Sequence, residues 1–206
     1  MGILKDWKKE ILPLKKEAIL ALIFFAVALF INYLSSNYIN KRAILKEVPD
    51  LILDNTPAIN LSFLYVWLYI LILAIIIFYP LIFKPKKFHY SIFMLSLFII
   101  IRSLFIIMTH LKTPVDAIPV IFPWIFNGLN FNNDMFFSGH TGLPFLGFLI
   151  FRNQNKKLGW FMLICSIVLG LTVLLMHQHY SIDVFSAFFI TYGIYKFGNL
   201  FFKSIV

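Results

Sequence analysis

Six apolar runs, at residues 18–34, 61–83, 90–109, 138–151, 158–176 and 180–202, occupy more than half of this 206-residue chain. A run of about 20 apolar residues is what a helix needs to cross the hydrocarbon core of a bilayer. Lipid offers no partner to an open backbone amide, so such runs fold as helices whose peptide groups bond to one another. With 61% hydrophobic and only 13% charged residues, the chain does not read as a soluble domain. The expected fold is an all-α, multi-pass integral membrane protein, a bundle of six transmembrane helices forming one domain over residues 18–206. Residues 1–17 form a separate basic segment, with Ile3, Leu4, Trp7 and Ile11 at helical spacing among lysines. It reads either as a short helix lying on an anionic membrane surface or as a frayed basic tail. The same lysines, and the lack of a small-residue cleavage site after the first run, argue against a cleavable signal peptide.

Charge then orients the bundle. Six spans put both termini on one side with the loops at residues 84–89 and 152–157, and that side carries 13 of the 18 basic residues. Lys41, Arg42, Lys46 and Lys112 fall on the other side, and Arg102 lies inside a span. The lysine-rich side is therefore expected to be cytoplasmic. The formal net charge of +9 then reflects topology and anionic headgroups, and no nucleic-acid partner is implied. Cys165 is the only cysteine, so no intrachain disulfide can form.

Acids and histidines sort the opposite way. Asp50, Asp54, Asp116, Asp134 and Asp183 lie toward the outer side with His110, His140, His177 and His179, leaving only His89 inside. Two stretches organise this cluster. Ser138-Gly139-His140-Thr141-Gly142 opens the fourth run. Its serine suits a helix N-cap, and its glycine permits close backbone approach. A helix start also offers free N–H groups to a phosphate, although the motif alone fits a purely structural cap equally well. The fourth run is short, about 21 Å as a helix from Ser138, which recesses its start below the headgroup plane. In the second stretch, His179 and Asp183 are four residues apart, so on one helical turn they share a face. A carboxylate accepting one imidazole N–H fixes the tautomer and leaves the other nitrogen free as a nucleophile or base. The bland alternative is an interfacial histidine with a hydrogen-bond partner, but ionisable pairs at a span edge are costly and usually mark a site.

The stretches Asp134–Thr141 and His177–Thr191 resemble the type 2 phosphatidic acid phosphatase (PAP2) superfamily, and specifically its sphingomyelin synthase-like branch. Residues 48–54 and 102–114 resemble it more weakly. The resemblance implies an integral-membrane lipid phosphotransferase acting at the exoplasmic face through a phospho-histidine intermediate. It implies His179 as nucleophile, Asp183 as its orienting carboxylate and His140 as the acid for the leaving group. Asp134, Ser138, Gly139, Arg102, His177 and Tyr180 become candidates for binding substrate or phosphate. Membrane lipids are the implied partners, with a phospholipid as donor and a lipid hydroxyl or water as acceptor; no cofactor and no metal are implied. The sequence departs from the superfamily's phosphatases in lacking any Arg-Pro pair, and Leu174 stands where their arginine precedes the nucleophile by five residues. Near Asp134, that branch's Cys-Gly is replaced by Asn132-Asn133. Fewer fixed cations suit a phosphodiester better than a dianionic monoester, and Asp50, Asp54 and Asp134 could hold a cationic headgroup. Three other readings stay open: a lipid phosphate phosphatase, a metal-dependent hydrolase using His140, His177, His179 and an aspartate, and a non-catalytic lipid-binding protein.

Overall fold

The computed structural model describes residues 12–42, 44–123 and 133–202. It is all-helical among the described residues, where the one β-type pairing is an isolated bridge between Lys46 and Leu111. Six helices follow the six apolar runs: α1 Lys15–Arg42, α2 Ser62–Phe83, α3 Phe88–Met108, α4 Gly139–Phe151, α5 Lys156–Leu175 and α6 Ser181–Phe202. Four segments are long and apolar enough to cross a membrane: Leu12–Lys41, Ser62–Phe83, Pro85–Met108 and Lys156–Leu175. They mark the chain as a membrane protein. The six-span expectation is thus met by four helices on length and composition. In α6, Asp183, Lys196 and Asn199 dilute the apolar character of 22 residues.

The other exception, α4, has only 13 residues, about 20 Å of helix. Eleven of the 13 are buried, so this helix lies inside the protein and not against lipid. It packs on α5 and α6, and it also touches α2 and α3. Gly142 is what lets three helices meet there. A Cβ at that position would come within 2.8 Å of Thr191 Oγ1 on α6 and 2.9 Å of a Phe98 ring carbon on α3. Large apolar side chains such as Phe63, Phe78, Leu171, Phe189 and Leu200 are exposed on the outer helix faces, as a lipid-facing surface requires.

Two helix boundaries differ from expectation. The first helix continues to Arg42 although its apolar run ends at residue 34. The polar extension is used against α3: Ser35 Oγ donates to the Ser103 carbonyl at 2.9 Å. At the other end, a 3₁₀ turn at Leu12–Leu14 runs directly into α1, which begins at Lys15, three residues before the apolar run. Residues 1–11 of the expected basic segment lie outside the described residues.

The α1–α2 and α3–α4 connections close one end of the bundle. Lys46 N–H donates to the His110 carbonyl at 3.1 Å and Lys112 N–H to the Lys46 carbonyl at 3.0 Å, which ties the two loops together. Ile59 N–H donates to Leu175 O at 2.7 Å and Ile118 N–H to Met176 O at 3.0 Å, which fastens both loops to the end of α5. This end carries the motifs.

Candidate active site

The site is built on two helix starts. Ser138 caps α4: its Oγ accepts the Thr141 N–H at 3.4 Å and the Thr141 hydroxyl at 3.2 Å. This is the N-cap the sequence suggests, and the first-turn N–H groups of Gly139 and His140 are left without partners inside the helix. At α6, Asp183 stands in the first turn and reaches back, its Oδ2 accepting the Tyr180 N–H at 3.1 Å. That is the N-terminal half of a capping box. A second carboxylate arrives from the α1–α2 loop. Asp50 Oδ2 accepts both the N–H and the hydroxyl of Ser181, at 2.7 and 2.8 Å, while its Oδ1 accepts the N–H groups of Ile52 and Leu53. Burial alone would raise the Asp50 pKa, but these four hydrogen bonds outweigh it and hold the carboxyl below its ordinary value.

His179 and Asp183 do meet, with Nδ1 and Oδ2 3.1 Å apart, and they are 4% and 0% exposed. The geometry differs from a shared helical face. His179 sits in the turn before α6, and the contact forms because the helix start folds Asp183 back under that turn. The same start binds the other motif, since the Ser138 N–H donates to the Asp183 carbonyl at 3.1 Å. One backbone hydrogen bond thus joins the two helix starts that carry His140 and His179.

A cavity of about 530 Å³ opens at this junction, lined at its polar end by Arg102, Asp134, Gly139, His140, Gln178 and His179. It extends along α2 from Tyr65 to Phe78, about 20 Å of helix, where Phe25, Leu73 and Ile77 line it. Helix α1 packs along α3 and hardly touches α2, so this apolar length lies in the gap between α1 and α2.

Arg102 is committed to the chain. Its Nη1 holds both oxygens of Asp134, at 3.0 and 2.8 Å; Nη2 donates to the Asp134 carbonyl and Nε to the Phe137 carbonyl. Four contacts leave little of its five-donor capacity for a phosphate. Arg102 and Asp134 are the fully charged residues of the cavity lining, and they neutralise one another.

Other candidates fall outside the cavity. His177 is 0% exposed, in the left-handed region at φ 53°, with Nδ1 2.6 Å from Asp116 Oδ2. Tyr180 turns toward the loops, its hydroxyl donating to the Lys112 carbonyl at 3.0 Å. Neither residue is in the lining. Of the three acids expected to meet a cationic headgroup, Asp134 lines the cavity, whereas Asp50 and Asp54 cap the α1–α2 loop and the start of α6. Among the described residues, no three His, Cys, Asp or Glu side chains converge as a metal-ligand set, because His177 and His179 turn to different carboxylates.

Two neighbours of His140 have no signal in the motifs. Tyr65 and Tyr69 of α2 stack on its ring, with centroids 3.9 and 4.0 Å away. Gln178 lines the cavity and donates to the Ile118 carbonyl at 2.6 Å, holding the α3–α4 connection at the cavity mouth.

No curated protein and no solved structure matches the chain at significance. Residues 133–200, which hold the Asp134–Thr141 and His177–Asp183 stretches but not Arg102, Tyr65 or Tyr69, match the family model described as PAP2 superfamily C-terminal, and this part of the chain is similar to that superfamily.

Proposed function

We propose that the protein is an integral-membrane lipid phosphotransferase of the sphingomyelin synthase-like kind, moving a phospho-headgroup between lipids through a phospho-histidine on His179. One observation carries this reading: a buried His179–Asp183 pair and His140 face one cavity whose remaining length is apolar. A lipid tail fits the gap between α1 and α2, which leaves the phosphate at the histidines. Asp183 accepts the Nδ1–H of neutral His179, so Nε2 is the attacking atom. The N–P bond forms as the bond from phosphorus to the lipid oxygen breaks, and protonated His140 gives its proton to that oxygen. In the second half, His140 takes the proton of an acceptor hydroxyl, that oxygen bonds to phosphorus, and the N–P bond breaks. The first-turn N–H groups of α4 are the donors available to the phosphoryl oxygens.

Transfer is favoured over phosphate release because the Arg102–Asp134 pair gives the cavity no net charge to clamp a dianion. A phosphodiester carries one negative charge fewer. The test supplies purified protein in vesicles with phosphatidic acid and with labelled phosphatidylcholine or phosphatidylethanolamine, plus diacylglycerol or ceramide as acceptor. Headgroup movement should exceed phosphate release by roughly tenfold, the rate equivalent of about 1.4 kcal/mol in barrier. Fast phosphate release from phosphatidic acid with no headgroup movement would replace this reading with a lipid phosphate phosphatase.

The proposal includes six spans, cytoplasmic termini and an exoplasmic site, on the strength of the basic-residue asymmetry. Leu51 is 83% exposed in the α1–α2 loop and serves as a probe. With Cys165 replaced, Leu51→Cys in intact cells should react with a membrane-impermeant maleimide. Reaction only after the cytoplasmic face is opened would reverse the orientation.

A further inference from the structure

Three histidines at this end of the bundle, His140, His177 and His179, are held in two different ways. His177 is tied to Asp116 and His179 to Asp183, each through Nδ1. His140 has no carboxylate: its Nε2 is buried without a partner, and its ring is fixed by aromatic faces. The Tyr65 ring lies 3.9 Å away at 29° and the Tyr69 ring 4.0 Å away at 25°. Two nearly parallel rings at that separation cannot share one face, so the imidazole is sandwiched. The tyrosines are four residues apart on α2, which stacks them on one side of that helix with room for one ring between. Tyr65 is held in turn by an edge contact with Phe122 at 6.0 Å.

We propose that Tyr65 and Tyr69 are the positioning residues of the leaving-group acid, an inference that rests on the phosphotransferase reading above. Their faces fix the plane of His140 without supplying an acceptor that would compete for its proton. A nucleophile gains from a carboxylate partner, because the partner holds one tautomer. An acid that gives up its proton in one half-reaction and recovers it in the next has no fixed tautomer to keep, and the rings supply its orientation. In the first half the proton passes from His140 to the lipid oxygen as that oxygen leaves phosphorus; in the second it returns from the acceptor hydroxyl as the N–P bond breaks.

The experiment compares two leaving groups. One donor is the phosphatidylcholine or phosphatidylethanolamine that turns over; the other is the 4-nitrophenyl ester of the same phospho-headgroup, whose phenolate departs without a proton. The double variant Tyr65→Leu/Tyr69→Leu should lose on the order of 10²-fold in kcat on the phospholipid and less than about fivefold on the aryl ester, since general-acid assistance is worth about 10² to 10⁴. Tyr65→Phe/Tyr69→Phe keeps both faces and should stay within about threefold on either donor. Equal losses on both donors, phenylalanine as damaging as leucine, or no loss with leucine would each overturn the inference. His140→Ala separates the two levels. If it shows no dependence on leaving group, the acid assignment itself fails; if it does and the leucine variant does not, only the tyrosine inference fails.

Discussion

His179→Ala is expected to abolish turnover, because no other group can take its place at phosphorus. The only other imidazole adjacent in sequence, His177, is fully buried and bound to Asp116, with its Nε2 enclosed and outside the cavity lining. His140 is clamped between two rings and has no carboxylate to set a nucleophilic tautomer. Asp183→Asn should cost roughly 10²-fold or more, since an amide facing Nδ1 supports the wrong tautomer as readily as the right one. It also replaces an oxygen that caps Tyr180 N–H, so folding must be checked by circular dichroism beside the rates. His177→Ala should cost less than about tenfold, because His177 is outside the cavity lining and acts only through the 109–123 segment, which Gln178 still fastens; one lost hydrogen bond to a charged group is worth about 1.5 to 3 kcal/mol of stability, not of barrier. Initial rates of headgroup transfer by purified protein in vesicles decide all three. Near-normal activity in His179→Ala would remove the phospho-histidine mechanism.

How much of this is legible in the sequence depends on whether the signal is local. Apolar runs of span length predict six helices, and each is found where its run lies. The Ser138 cap is legible because capping is a property of four consecutive residues. The pairing of His179 with Asp183 is legible from spacing, although the turn that makes it is not: the helix begins at Ser181, after the histidine. Long-range partners leave no such trace. Nothing in the spacing says that Asp50 caps a helix 131 residues away or that Tyr65 and Tyr69 enclose His140. On α2 these tyrosines read as two aromatics in an apolar run. The acids grouped by side of the membrane also prove a coarse guide, because side chains on one side still divide between cavity and loop. Arg102 is the sharpest instance, since its sequence position fits a cation for phosphate and a structural arginine in a span equally well, and only the structure shows its four hydrogen bonds to the protein.

Arg102→Leu should therefore destabilise the protein before it changes substrate affinity. The Arg102 and Asp134 side chains are only 11% and 17% exposed, so removing the guanidinium strands a carboxylate and two carbonyls that it had satisfied. Breaking a buried pair from one side costs about 3 to 5 kcal/mol, because the surviving charge has neither water nor partner. The pair also stitches residues 134–137 to α3 immediately ahead of the Ser138 cap, so the start of α4 should loosen with it. Arg102→Lys keeps the charge but cannot reproduce the fork that grips Asp134 and two carbonyls, and it should fall between wild type and leucine. The double variant Arg102→Leu/Asp134→Leu removes both charges and should recover much of the loss, leaving mainly the unpaired carbonyls at about 1 to 3 kcal/mol. Unfolding in mixed micelles as the fraction of dodecyl sulfate rises measures these differences directly. An arginine whose main task is to hold phosphate would give the opposite pattern. Stability would be unchanged in Arg102→Leu, KM for the donor would rise, and the double variant would be no better than the single one. That result would return Arg102 to the substrate and restore to the cavity a cation free of Asp134, one that could clamp a dianionic phosphate.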